Sequence, residues 1–124
     1  MVPEIMTSET KTPARTRTDA ASRERALECA RAALEKKAEG VRILDLTRLS
    51  GFTDYFVICS GTSDRQVQAI ASSVEQHLEA QGAELVNFEG FSDGRWVLMD
   101  FGDVVVHIFQ NALRDYYDLE SLWT

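Results

Sequence analysis

The chain has 124 residues, enough for one ordinary domain and not for two. Hydrophobic residues make up 44% and charged residues 27%, a globular mixture, and 20 acidic against 13 basic side chains give a formal net charge of -7. A generic phosphate-backbone binder and a polybasic membrane anchor are both excluded, because each is built from basic side chains.

The acidity is uneven. Residues 1–18 carry three basic and two acidic groups, residues 19–39 carry five of each, and residues 41–124 carry thirteen acidic and five basic. An acidic folded domain suits a basic partner, or is simply a solvated surface. No run approaches eighteen apolar residues, so no membrane span is expected, and Met1 to Thr18 lacks a signal-peptide core. Cys29 and Cys59 show neither a disulfide framework nor metal spacing and read as small buried side chains, which points to a cytoplasmic protein.

In chain order, residues 1–18, rich in Thr, Ser, Pro and charge, read as a flexible leader, and 19–124 as the folded domain. A helix is predicted from about Asp19 to Glu39, with Leu27, Ala30, Leu34 and Ala38 as its apolar stripe and Gly40 as its stop. Val41 to Leu46 reads as a strand, and Ser50-Gly51 as a turn. Asp54 to Ser60 contains the unbroken apolar run Tyr55-Phe56-Val57-Ile58-Cys59, the pattern of a central strand covered on both faces. Gly61-Thr62-Ser63 breaks it, and Ser63 with Gln66 fits a capping box. Val67, Ile70, Ala71, Val74 and Leu78 mark one face of the next helix, which Gly82 ends.

Ala83 to Phe88 is a weaker strand, and 89–94 a loop. Arg95 to Phe101 and Val104 to Phe109 are strands joined by Gly102-Asp103 in a tight hairpin. Gln110 to Trp123 closes the chain as helix or helical turns, with Leu113, Tyr116, Tyr117 and Glu120 on one side; docked on the sheet, it would turn Tyr116, Leu119 and Trp123 inward. The order α-β-β-α-β-β-β-α defines a single α/β domain, a mixed five-stranded sheet flanked by helices. The helix after residue 62 allows a right-handed parallel crossover to the third strand, while the strand order is not readable from the pattern.

Strand periodicity puts Val97, Met99, Phe101, Val104, Val106 and Ile108 on one apolar face of the hairpin. The other face carries Trp96, Leu98, Asp100, Val105, His107 and Phe109, with Trp96 opposite Phe109 and Leu98 opposite His107. That face is either covered core or a partner surface. His77 and His107 lack the cysteines or carboxylates of a zinc site, so no metal is expected.

Gly61-Thr62-Ser63-Asp64 at a helix N-terminus resembles the Gly-Ser turn of nucleotide-transferring enzymes. Those enzymes need carboxylates converging on metal-bound phosphate, and only the scattered Asp54 and Asp100 are available. A small nucleotide-binding or nucleotidyl-transferring enzyme is therefore the alternative reading, with a scaffold signal and no catalytic set. At the C-terminus Tyr116, Tyr117 and Trp123 lie among Asp115, Asp118 and Glu120, which suits a basic, partly apolar partner or a docked terminal helix.

The blocks Asp54-Tyr55-Phe56-Val57-Ile58-Cys59-Ser60-Gly61-Thr62-Ser63 with Arg65, Glu89-Gly90, Trp96, Asp100-Phe101-Gly102-Asp103-Val104-Val105-Val106-His107, and Arg114, Tyr117, Leu119-Glu120, Leu122-Trp123 resemble the ribosomal silencing factor family, RsfS, also called Iojap-like proteins. The resemblance covers roughly residues 22–123. It implies a nucleotidyltransferase-like topology without the catalytic carboxylates, no enzymatic activity and no cofactor. It implies docking on the large ribosomal subunit through its ribosomal protein numbered fourteen, blocking the joining of large and small subunits and so repressing translation. It also implies a homodimer when free. The interface residues it implies are Trp96, with Asp100, His107, Arg114, Tyr117 and Glu120 around it.

Overall fold

The structure is a computed structural model and describes residues 4–7, 17–49, 51 and 53–122. Its elements are β1 (Glu4–Thr7), α1 (Arg17–Glu35), β2 (Glu39–Asp45), β3 (Tyr55–Gly61), α2 (Asp64–Ala80), β4 (Asn87–Glu89), β5 (Trp96–Asp100), β6 (Val104–Gln110) and α3 (Asn111–Tyr117), followed by a 3-10 turn at Leu119–Leu122. The sheet runs β1-β2-β3-β6-β5-β4. β1 is parallel to β2 and β3 is parallel to β6, while the other neighbours are antiparallel.

All five expected strands are present, and the sheet gains a sixth. Glu4–Thr7, read as part of a flexible leader, pairs with Arg42–Asp45 along the edge of β2. The rest of the leader, apart from the start of α1, lies outside the described residues. The third strand is shorter than expected, because only Asn87–Glu89 finds ladder partners on β5. The crossover helix α2 leads to that strand at the far edge, and the parallel neighbour of β3 is β6 instead.

Burial follows the pleat. Val41, Ile43, Tyr55, Val57, Cys59, Val97, Met99, Val106 and Ile108 form one core with Ala26, Cys29, Ala30 and Ala33 of α1 and Val67, Ile70, Val74 and Leu78 of α2. The alternate residues Leu44, Phe56, Ile58, Val105 and Phe109, joined by Leu46, form a second, smaller core. Both helices therefore cover one face, and the C-terminal segment partly covers the other through Leu113 and Leu119. Every residue of β3 is buried, as its unbroken apolar run requires.

The stop of α1 differs from expectation. The helix ends at Glu35 and Lys37 takes the left-handed position at φ 62°, with Lys37 N–H donating to Leu34 C=O and Ala38 N–H to Ala33 C=O. Gly40 lies within β2 at φ 56°, where the Arg114 guanidinium passes over it. α2 is capped as the sequence indicates, Ser63 Oγ accepting from Gln66 N–H at 3.1 Å. Gln66 Oε1 accepts from Thr62 N–H rather than from Ser63, and Gln66 Nε2 donates to the carbonyls of Lys36 and Lys37. One side chain thus joins the start of α2 to the end of α1.

Candidate partner interface

The β5–β6 register places Trp96 opposite Phe109 and Leu98 opposite His107, as the hairpin pattern predicts. Phe101 N–H donates to Val104 C=O and Gly102 turns at φ 93°, closing a two-residue loop. Trp96 is half-buried on the second face of the sheet. Its ring lies 4.8 Å from Phe109, 5.0 Å from Tyr117 and 6.1 Å from His107 between centroids. Trp96 Nε1–H donates to His107 Nδ1 at 3.2 Å. Hollows of about 280 and 210 Å³ flank the ring, one lined by Glu89, Gly90, Trp96 and Leu98, the other including Asp93, Arg95, Leu113 and Tyr117. A tryptophan held between two hollows, with carboxylates at the rim, is the anatomy of an interface anchor.

The other expected site residues divide in three. Tyr117 joins the aromatic cluster and stays half-exposed. His107 is 5% exposed and wedged edge-on against Phe56 at 4.6 Å, so it lines the cluster from beneath rather than touching a partner. Burial pushes it down to about 4, and it is neutral at ordinary pH. Asp100 is not part of the cluster. It lies four residues along β5, about 13 Å away at the usual strand rise, and its Oδ1 accepts from Gly102 N–H at 2.7 Å in the hairpin turn.

Arg114 and Glu120 are committed to each other. Arg114 Nε and Nη2 donate to the two Glu120 oxygens at 3.0 and 3.1 Å, a bidentate pair. Arg114 Nη1 also reaches Ser60 Oγ and the Glu39 carbonyl, and Arg42 Nη1 donates to Glu120 at 3.1 Å. The hydrogen bond from Arg114 holds the Glu120 carboxyl below its ordinary range, with Arg42 adding to it against the opposing effect of burial. This pair clamps the C-terminal segment to the sheet.

Expectation and structure part at Tyr116, which is 78% exposed. Tyr116 lies within α3, which has no fully buried side chain, and Asp118, left-handed at φ 45°, ends the helix, so its face is not continued beyond Tyr117. Leu119 does pack inward, and Trp123 lies outside the described residues.

Phe109, expected opposite Trp96, forms the floor under its ring. Two other residues of the site carry no signal that a local sequence pattern could show: Arg42 joins the Glu120 pair from 78 positions away, and Gly90 lies where a Cβ would collide with the Trp96 carbonyl oxygen. The Glu89-Gly90 dipeptide is visible in the sequence, but its contact with Trp96 comes from β4–β5 pairing.

The enzyme reading can be tested on the same geometry. Asp54 precedes β3 and the Gly61–Asp64 turn follows it, so they stand at opposite ends of a seven-residue strand, about 20 Å apart by strand rise. Asp100 pairs with Val105 near the Asp54 end. Asp54 and Asp103 share Ser22 Oγ at 2.9 Å, and Arg25 pairs with Asp103. The carboxylates therefore do not converge on the turn. Among the described residues no group of three or more His, Cys, Asp or Glu side chains is placed to hold a metal ion. No described helix is long and apolar enough to cross a membrane.

These features define a one-domain α/β protein, with helices on one face of a mixed sheet and a half-open aromatic cluster on the other. A family profile described as "Ribosomal silencing factor during starvation", RsfS, matches residues 19–124, and the chain belongs to that family. It is 48% identical over 89 residues to ribosomal silencing factor RsfS of Bacillus subtilis, covering 72% of this chain and 75% of that protein. A mouse protein named mitochondrial assembly of ribosomal large subunit protein 1 is 33% identical over 93 residues, covering 73% of this chain and 41% of its own. The crystal structure of protein CV0518 from Chromobacterium violaceum superposes with a TM-score of 0.80 at 40% identity, covering 82% of this chain and 84% of that one.

Proposed function

We propose that this protein is a ribosome-binding translational repressor that docks on the large ribosomal subunit through its ribosomal protein numbered fourteen and blocks joining to the small subunit. Membership of the ribosomal silencing factor family supports a ribosome-associated silencing role. The observation that carries the docking reading is Trp96, half-buried on an aromatic stack and flanked by two hollows on the sheet face that α1 and α2 leave open. We place the function in residues 19–124 and the contact at Trp96 and Tyr117, with Glu89 and Asp93 on the rim. Arg114, Glu120 and His107 act by holding that surface in shape. Asp100 contributes from the hairpin end of the same face.

The mechanism asks only for occlusion. A standard-size interface holds a 13.9 kDa domain where two large surfaces would meet, and no bond is made or broken. In the free state the same exposed aromatics are offered to a second copy, giving a homodimer.

Sedimentation tests the reading. The protein is expected to co-migrate with large subunits and to deplete joined ribosomes when both subunits are supplied. Trp96→Ala should weaken that co-migration by at least about 2 kcal/mol, some thirtyfold, the size expected of a buried aromatic anchor. A folded Trp96→Ala protein that co-migrates as well as wild type would remove the proposed contact.

A further inference from the structure

We propose that His107 is a positioning residue for Trp96: its Nδ1 accepts the indole N–H and so holds the half-buried ring in its docking orientation. The inference rests on the reading of Trp96 as the contact residue and concerns a side chain that cannot itself reach a partner. His107 is 5% exposed, lies on β6 directly across from Leu98, and meets Trp96 diagonally within the same face.

The hydrogen-bond inventory makes the arrangement specific. An imidazole nitrogen that accepts carries no proton, so the neutral ring must carry it on Nε2. His107 Nε2 is buried and has no hydrogen-bond partner among the described residues. The protein therefore leaves one buried donor unsatisfied while Nδ1 receives Trp96 at 3.2 Å. An ordinary core position would be filled better by a phenylalanine, which has the right shape and no orphan donor. What the imidazole offers and phenylalanine lacks is an acceptor under the indole.

The rest of the surroundings leave Trp96 in need of such an anchor. Phe109 at 4.8 Å and Tyr117 at 5.0 Å are both tilted against its ring, at 32° and 43°, contacts that tolerate sliding and rotation. The flanking hollows give the ring room to move. The N–H to Nδ1 bond is the directional contact that selects one orientation, and a ring already in that orientation binds without first being ordered.

The experiment uses the full-length protein with Trp123→Phe as background, so that one indole signal belongs to Trp96. Three measurements are made on His107→Phe and His107→Gln: thermal melting, the Trp96 indole N–H resonance and its solvent exchange, and co-sedimentation with large subunits. His107→Phe is expected to melt at or above the wild-type temperature. Its indole N–H should shift and exchange faster, and subunit affinity should fall about fivefold, the scale of one neutral hydrogen bond. His107→Gln, which can offer an amide oxygen, should recover part of both the signal and the affinity. An unchanged indole signal and unchanged affinity in a folded His107→Phe protein would overturn the proposal. An indole signal moved in His107→Phe, together with full affinity in Trp96→Ala, would instead leave the orientation role standing and remove the docking role of Trp96.

Discussion

At Nδ1, His77 meets Glu28 at 3.1 Å, and at Nε2 it meets Glu35 at 3.2 Å, both across the α1–α2 contact. The hydrogen bond to Glu28 raises its pKa, with Glu35 adding to it against desolvation. A histidine raised in the folded state stabilises fully below its unfolded value, about 6.5, and loses that stabilisation as pH rises through the folded value. His107 has the opposite sign. Burial takes it from 6.5 down to about 4, so its contribution is present above 6.5 and fades as pH falls toward 4. On the linkage scale this is about 2 kcal/mol between roughly pH 7 and pH 5. Urea midpoints should therefore fall on acidification, and His107→Phe should flatten the acid limb. His77→Gln should flatten the alkaline side above pH 6.5. An acid limb unchanged in His107→Phe would assign the loss to other groups. Gly40 is the third residue of note: an alanine there would adopt φ 56°, costing about 1–2 kcal/mol, and its Cβ would lie 2.6 Å from Arg114 Nη1. Gly40→Ala is expected to lower the melting temperature and to loosen the Arg114 clamp.

At the scale of elements, the C-terminal segment shows how a few side chains replace a hydrophobic anchor. α3 has seven residues and no fully buried side chain, too short to be stable alone. It stays on the sheet through Leu113 and Leu119 and through the Arg114–Glu120–Arg42 group. Glu120→Ala is expected to cost about 2 kcal/mol, since it removes the part-buried carboxylate on which Arg114 and Arg42 converge. It should also raise amide exchange across 111–122 before the sheet itself opens. Equal exchange in mutant and wild type would show that apolar contacts alone hold the segment. Gln66 plays a similar part between α1 and α2, where its amide serves two carbonyls at the end of α1 and the N–H of Thr62. In the β5–β6 hairpin, Gly102-Asp103 and the alternating pattern set the register, and Asp100 Oδ1 accepts from Gly102 N–H in the turn.

For the whole molecule, the proposed docking assigns acidity and the aromatic cluster to different steps of association. Residues 41–124 hold thirteen acidic and five basic groups, and the aromatic ring stack is confined to one side of the sheet. In the proposed docking, charge of that sign would steer encounter with a basic protein surface, and the aromatic contact would set how long it lasts. Raising salt from about 0.05 to 0.3 M should slow association with large subunits while leaving dissociation nearly unchanged. Trp96→Ala should do the reverse. Stopped-flow measurement of both rates separates the two, and a salt effect confined to dissociation would contradict the steering argument. β1 adds a strand outside the matched unit: the family match begins at residue 19, whereas Glu4–Thr7 covers the edge of β2. An edge covered by its own chain is not available for pairing with another.

The α/β class, the five strands of residues 39–110, the capped helix after Ser63 and the hairpin register were legible in the sequence. Each depends on interactions between residues near in the chain, through period, turn chemistry or capping. Trp96 was legible as a candidate for the same reason, since alternation placed it with Phe109 and His107. The placement of β6 beside β3, the edge strand at Glu4–Thr7 and the left-handed stop at Lys37 were not, because each is settled by long-range pairing or packing. The same holds for Arg114 and Glu120, which look like interface charges in the sequence and in the fold turn to each other and to Arg42, Glu39 and Ser60 on the sheet. A charged side chain reads the same in a sequence whether it faces solvent or a partner 78 residues away, and only the tertiary structure decides between them.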